Sequence, residues 1–161
     1  MIIALNILVA ILYFWISMDL KIKSEKNLKA AEMLSKRDDG INICSVHCSY
    51  YSCYQYIIHC IGEIKSWDAK QRRDKYDEYR EMCREKGDIP MGSHEFWLNQ
   101  FYEYALTINF NVARHVYIKT ELLKAKRVDA DYSDKDFSKN ETSDFANYAK
   151  SIIDSINTIM K

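Results

Sequence analysis

The sequence predicts an all-α fold, an antiparallel bundle of five to six helices, on three grounds. Apolar residues supply 48% of the 161 positions and charged ones 29%, a globular balance with enough apolar material for one core. Glycine occurs 4 times and proline once, whereas a β-rich chain of this size spends both on its many turns. Apolar side chains recur at steps of three and four residues in nearly every segment, and no stretch alternates with period two.

The first periodic segment covers residues 19–36, where Ile22, Leu28, Ala31 and Leu34 repeat at mostly helical spacing and Lys and Glu fill the rest. Asp38-Asp39-Gly40 stops it, glycine being common just past a helix end. Residues 41–63 carry the strongest pattern. Ile43, Val46, His47, Tyr50, Tyr54, Ile57, Ile58 and Ile61 form a stripe over most of the circumference. Such a helix belongs at the centre of a bundle, so Tyr54, Ile57 and Ile61 are expected to be almost fully buried. Its histidines and tyrosines read as partnered core polar groups rather than ligands.

Residues 67–86 are heavily charged, with Tyr76, Tyr79, Met82 and Cys83 on one narrow face, which predicts a solvated helix leaning on the core by that strip. Its Lys70-Gln71-Arg72-Arg73 run could meet phosphate, but Asp74, Asp77, Glu78 and Glu81 follow closely, and a solvated face is the better reading. Gly87 and Pro90 end it, and Ser93 is placed to cap the next helix. Residues 94–107 carry a bulky aromatic strip of Phe96, Trp97, Phe101, Tyr104 and Ala105. In residues 111–127, Val112, Val116, Leu122 and Leu123 point inward. Ser138-x-x-Glu141 is a capping box, and Phe145, Ala149, Ile152, Ile156 and Ile159 follow it at helical period.

Charge narrows the function classes. The 23 basic residues balance 23 acidic ones, so there is no bulk attraction to nucleic acid or anionic membrane, and any RNA contact has to be local. Cys44, Cys48, Cys53 and Cys60 fall on one expected helix, and Cys83 makes the count odd. Two cysteines on one straight helix rarely meet disulfide geometry, which points to reduced thiols and a cytoplasmic setting. Zinc, with His47 and His59 nearby, is the sharper alternative. Tetrahedral zinc usually draws on separate elements or tight knuckles, and no Cys-x-x-Cys pair is present, so neither a metal nor a cofactor is expected.

Residues 2–16 are apolar apart from Asn6. As a helix they would reach about 25 Å, marginal against the ~30 Å hydrocarbon core. No Lys or Arg precedes the run and no small-x-small site follows it, which makes it a poor signal peptide. Residues 1–17 thus separate as an extension from a domain of residues 18–161. Three readings of the extension stay open: translation starting at Met18, a short anchor, or a helix packed on the domain. The first is favoured because a complete amphipathic helix begins directly after Met18. Were the segment inserted, Lys21, Lys23, Lys26 and Lys29 would hold the domain on the cytoplasmic side, as a membrane-tethered adaptor.

The catalytic inventory is thin: no Gly-rich phosphate loop, no Gly-x-Ser-x-Gly and no His-Glu-x-x-His. Two segments stand out together. Ala30-Ala31-Glu32-Met33-Leu34 is followed by Ser49-Tyr50-Tyr51-Ser52-Cys53-Tyr54, and Lys126-Arg127-Val128-Asp129-Ala130-Asp131-Tyr132 precedes the capped last helix. This arrangement resembles the HEPN superfamily and, within it, the small stand-alone bacterial and archaeal members. The matching residues are Leu28, Ala31 and Leu34 in the first helix, Tyr50 and Tyr51 in the second, and Arg127, Ala130, Asp131 and Tyr132 near the end. His94 looks like the family's histidine at that point, and the likeness covers residues 19–160.

The resemblance implies a helical bundle, often a homodimer, in toxin–antitoxin, phage-defence or RNA-processing systems. Many members are ribonucleases, and others partner a small nucleotidyltransferase. The nuclease members carry Arg, four to six residues, then His, which brings a guanidinium and an imidazole to one phosphodiester. Here Arg37 and Arg84 precede His47 and His94 with nine residues between, Arg114 adjoins His115, and no histidine follows Arg127. The motif is absent. The expectation is a non-catalytic or weakly catalytic module that binds a protein, RNA or a nucleotide, with a divergent metal-independent ribonuclease using His94 and Arg127 as the alternative. In that alternative His94, Arg127 and Asp131 converge. In the plainer reading Arg127 and Asp131 pair to fix the corner, with Tyr132 packed beneath. Because the periodic core begins after Met18, a chain lacking residues 1–17 is expected to stay soluble and to melt cooperatively near the full-length temperature; aggregation of the shortened chain in a thermal melt would assign the extension to the core.

Overall fold

The computed structural model describes residues 19–37 and 39–160, so the apolar run of residues 1–17 lies outside the described residues. Among these the chain forms α1 (Leu20–Leu34), a 3₁₀ turn (Ile41–Ile43), α2 (Cys44–Lys65), α3 (Ala69–Lys86), α4 (Ser93–Leu106), α5 (Phe110–Tyr132) and α6 (Lys139–Ile159), and no strand. The fold is a helical bundle. No described helix is long and apolar enough to cross a membrane.

Local chemistry sets the helix ends. Asp19 caps α1, accepting from the Lys21 N–H at 2.9 Å, and Gly40 takes the left-handed conformation (φ 79°) that starts the 3₁₀ turn. Asp68 and Gln71 form a reciprocal capping box on α3, as Ser138 and Glu141 do on α6. Ser93 does not cap α4. It is the first helical residue, and Gly92 occupies the cap position without a side-chain bond. α5 runs on to Tyr132 rather than stopping at Arg127, because Arg127 and Asp131 stand one helical turn apart as an i,i+4 ion pair that supports the last turns.

α2 is the axis of the bundle. Val46, Cys53, Ile57 and Ile61 have no exposed surface, and Tyr50 is buried with them. On another side the small buried residues Ser45, Ser49 and Ser52 let α1 approach closely, so that Ser24 Oγ donates to Ser52 O at 2.7 Å and Asn27 Nδ2 to Gln55 Oε1 at 2.9 Å. The pairs His47–Asp131 and Tyr51–Arg127 run α5 antiparallel to α2. The pairs Asn42–Phe137, Cys53–Ala149 and Tyr56–Asn157 run α6 parallel to α2, which follows because both neighbours are antiparallel to α5. The predicted α6 face of Phe145, Ala149, Ile152, Ile156 and Ile159 is buried throughout. α3 leans on the core through the Tyr76 and Tyr79 rings, whose centroids lie 5.3 and 4.8 Å from Phe96, and through buried Cys83. Met82, expected on that strip, turns outward at 45% exposure.

Tyr54 departs from expectation: it is only partly buried, while Ile57 and Ile61 are fully so. On a helix of 100° per residue Tyr54 shares its flank with His47, Tyr51 and Ile58 and not with Ile57. The flank ends at α4, where the tyrosine ring meets His94. Ile57→Ala should therefore cost about 2 to 5 kcal/mol of unfolding free energy, as the loss of a buried aliphatic side chain does where the core cannot close on the gap. Tyr54→Phe should cost far less; chemical denaturation of both variants measures the difference.

Candidate functional site

The α2 flank, the first turn of α4 and the end of α5 meet in one cluster of rings and charges. α2 supplies His47, Tyr50, Tyr51 and Tyr54 at helical spacing, α4 supplies His94, and α5 supplies Arg127 and Asp131. The His94 ring lies on Tyr54 with centroids 3.9 Å apart and meets Tyr51 edge-on at 6.0 Å. Its Nδ1 is 2.6 Å from the Tyr50 hydroxyl. Arg127 Nη2 donates to the Tyr51 hydroxyl at 3.3 Å while its Cζ stands 5.6 Å from the ring centre. Arg127 Nε is 2.7 Å from Asp131 Oδ2, a charge contact without the alignment of a hydrogen bond. Asp131 also meets His47 Nδ1 at 3.3 Å, and His47 stacks on Tyr51 at 4.5 Å. A hollow of about 250 Å³ opens beside Asp131, against Ile43, Cys44, His47 and Cys48.

The structure thus brings His94, Arg127 and Asp131 to one face, with Tyr51 in contact with both the histidine and the arginine. The paired corner holds, but Tyr132 is not packed beneath it. That side chain is 75% exposed and lies alongside the guanidinium, 5.4 Å from ring centre to Cζ, because α5 is still helical there and carries position 132 to the outer side. Ala130 is partly buried against the core. Sequence reasoning missed His47 as the second partner of Asp131 and Tyr54 as the ring beneath His94. The signal was present in the spacing 47, 51, 54, which puts the three on one flank.

Electrostatics decides what the cluster can do. Burial, helped by the nearby Lys124 and Arg127 cations, pulls the His94 imidazole below its ordinary 6.5. Burial also pushes the Tyr50 phenol well above its usual range and Tyr54 up to about 12. Tyr50 therefore keeps its proton and His94 stays neutral near pH 7. The thiols of Cys53 and Cys60 are likewise pushed up to about 12 by burial, which removes them as nucleophiles. Among the described residues no three His, Cys, Asp or Glu side chains converge as metal ligands. Set against protein-family models, curated proteins and solved structures, the chain finds no match in any of the three.

The depressed His94 value has a signed consequence. The unfolded chain takes up the proton more readily than the native one, so this group's contribution to stability is complete above pH 6.5 and is lost as the pH falls through the native value. His94→Gln, which keeps a polar partner for Tyr50, is expected to flatten the pH dependence of the melting temperature below 6.5. An unchanged slope, measured by thermal denaturation across that range, would place the destabilising proton on another group.

Proposed function

We propose that this chain is a HEPN-type helical module that works by binding rather than by cutting RNA. One observation carries the reading: the 2.6 Å contact that ties His94 Nδ1 to Tyr50. Metal-free phosphodiester cleavage asks a histidine to take and release a proton beside a cation that meets the developing charge. In serine hydrolases a carboxylate on the far ring nitrogen stabilises the imidazolium as it forms. A phenol has no charge to offer, and burial and the neighbouring cations act against the imidazolium here. Arg127 is paired with Asp131 and donates to the Tyr51 hydroxyl, so its charge is already balanced by a carboxylate before any phosphate arrives. The Tyr50–Tyr51 helix at the core, the Arg127–Asp131 corner and the capped terminal helix support the HEPN reading, and with it a place in a toxin–antitoxin or defence system.

The same cluster suits recognition. Tyr51, His47 and His94 offer ring faces and edges beside a guanidinium, the pairing that unstacked bases of single-stranded RNA use. Val128, 44% exposed, and Tyr132, 75% exposed, add apolar surface next to it, which suits a protein partner such as a small nucleotidyltransferase or a second copy of the chain. In EDTA with a mixed RNA pool, the natural protein and a His94→Ala, Arg127→Ala double variant are both expected to leave the RNA intact. In fluorescence anisotropy with labelled single-stranded RNA, Tyr51→Ala should weaken binding about tenfold, the scale of one lost stacking contact. Cleavage by the natural protein that vanishes in the double variant would replace this reading with that of a divergent ribonuclease.

A further inference from the structure

At the opposite end of α2 from the Arg127 corner, a cleft of about 600 Å³ opens between α1, α2, α3 and α4. Trp67, Trp97 and Tyr76 line it together with Lys23, Arg72 and Arg73. The volume is that of small-ligand sites, which join apolar walls to a few convergent polar groups.

The charges in the cleft are unequally committed. Asp68 is spent on the α3 cap, accepting from the Gln71 N–H at 2.8 Å. Asp19 is spent on the α1 cap and lies 3.5 Å from His59. By contrast, among the described residues no carboxylate comes within ion-pair distance of Lys23, Arg72 or Arg73. Glu63 is the remaining acid on the wall. The lining is therefore neutral overall, three cations against Asp19, Glu63 and Asp68, and an anion would be held here by unpaired Lys and Arg donors rather than by net charge.

Arg72 is seated by its surroundings. Ser66 takes a left-handed conformation (φ 55°) at the end of α2, and the Trp67 N–H returns to Gly62 O at 2.8 Å. This tight turn presents Trp67 O to Arg72 Nη1 at 2.9 Å. The guanidinium then lies over Gly62, where a Cβ atom would stand 2.3 Å from Nη1. Glycine inside a helix is ordinarily unfavourable, and here it leaves the space the guanidinium fills. The guanidinium makes no ion pair among the described residues, and its planar fork is the shape that matches phosphate. The run read from sequence as a plain solvated face is therefore half of a built wall.

We propose that this cleft binds a small molecule joining a flat aromatic ring to a phosphate group. The ring lies against Trp67 and Tyr76, and the phosphate is held by Arg72 and Arg73 with Lys23 at the rim. The site is separate from the Tyr51–His94–Arg127 face, so either can fail without the other. The test is intrinsic tryptophan fluorescence of the full chain, titrated with adenosine monophosphate and with phenyl phosphate, with adenosine and inorganic phosphate as controls. Saturable quenching by at least one ring phosphate is expected, with each control binding at least about tenfold more weakly. Response to adenosine monophosphate alone assigns a nucleotide, and response to both assigns aryl phosphates in general. Arg73→Gln, at an exposed position, should weaken binding about tenfold or more without shifting the melting temperature. Gly62→Ala should weaken it similarly by unseating Arg72, while Arg84→Gln, outside the cleft, should bind as the natural protein does. No saturable quenching by either phosphate, controls that bind equally well, or full affinity in both Arg73→Gln and Gly62→Ala would each overturn the proposal.

Discussion

The bundle depends on one constraint: α2 has almost no side that can face water. Val46, Tyr50, Ile57 and Ile61 need apolar partners, the buried serines 45, 49 and 52 need a close neighbour, and Cys53, Cys60 and Tyr56 need cover on a third side. Four helices answer. α1 comes in over the serines, α6 over Cys53 and Tyr56, and α4 with α5 over the aromatic side. At about 25 cal/mol per Å² of apolar surface removed from water, such enclosure outweighs any local preference of the flanking helices. α5 shows this, since its apolar residues do not gather on one stripe, Phe110, Ile118, Val128 and Tyr132 being exposed, and it is held in place by what it covers.

The ring-and-charge face is a by-product of the same geometry. A stripe that wide cannot be closed on every flank, and the flank at His47, Tyr51 and Tyr54 is closed by a histidine and an ion pair instead of aliphatic side chains. His94 sits where burial and two cations keep it neutral, which suits a group that fixes ring positions and ill suits one that must carry charge during a reaction. The low dielectric that strengthens the Tyr50–His94 contact also discourages the protonation that catalysis would need.

Much of this was legible in the residues. The α6 face and the α2 core could be read because periodicity and burial share a cause there, and the Ser138 box because capping is local chemistry. Ser93 misled because Gly92 fits the cap position by backbone alone. Tyr132 misled because an i,i+4 ion pair, invisible to hydropathy, carried α5 one turn further. The cluster was legible in part. His94, Arg127 and Asp131 were named, but that Tyr51 touches both the histidine and the arginine follows only from how α4 and α5 cross α2. The seat of Arg72 over Gly62 could not be read at all, since a helix-interior glycine looks the same in sequence whether or not something lies above it.

Asn42 sits in the 3₁₀ turn before α2 and donates to Phe137 O at 2.9 Å in the loop before α6, across 95 residues. Ser35, just past α1, accepts from Thr142 through its carbonyl on the same side. These two contacts pin the end of α1 and the entry of the central helix to the entry of the last one. Each joins parts of the chain that meet only after everything between has been laid down, so the loop-closure entropy falls on these contacts. A bundle whose neighbouring helices are joined by short loops is thus also tied across most of its length, and the central helix begins where a segment nearly a hundred residues further on holds it.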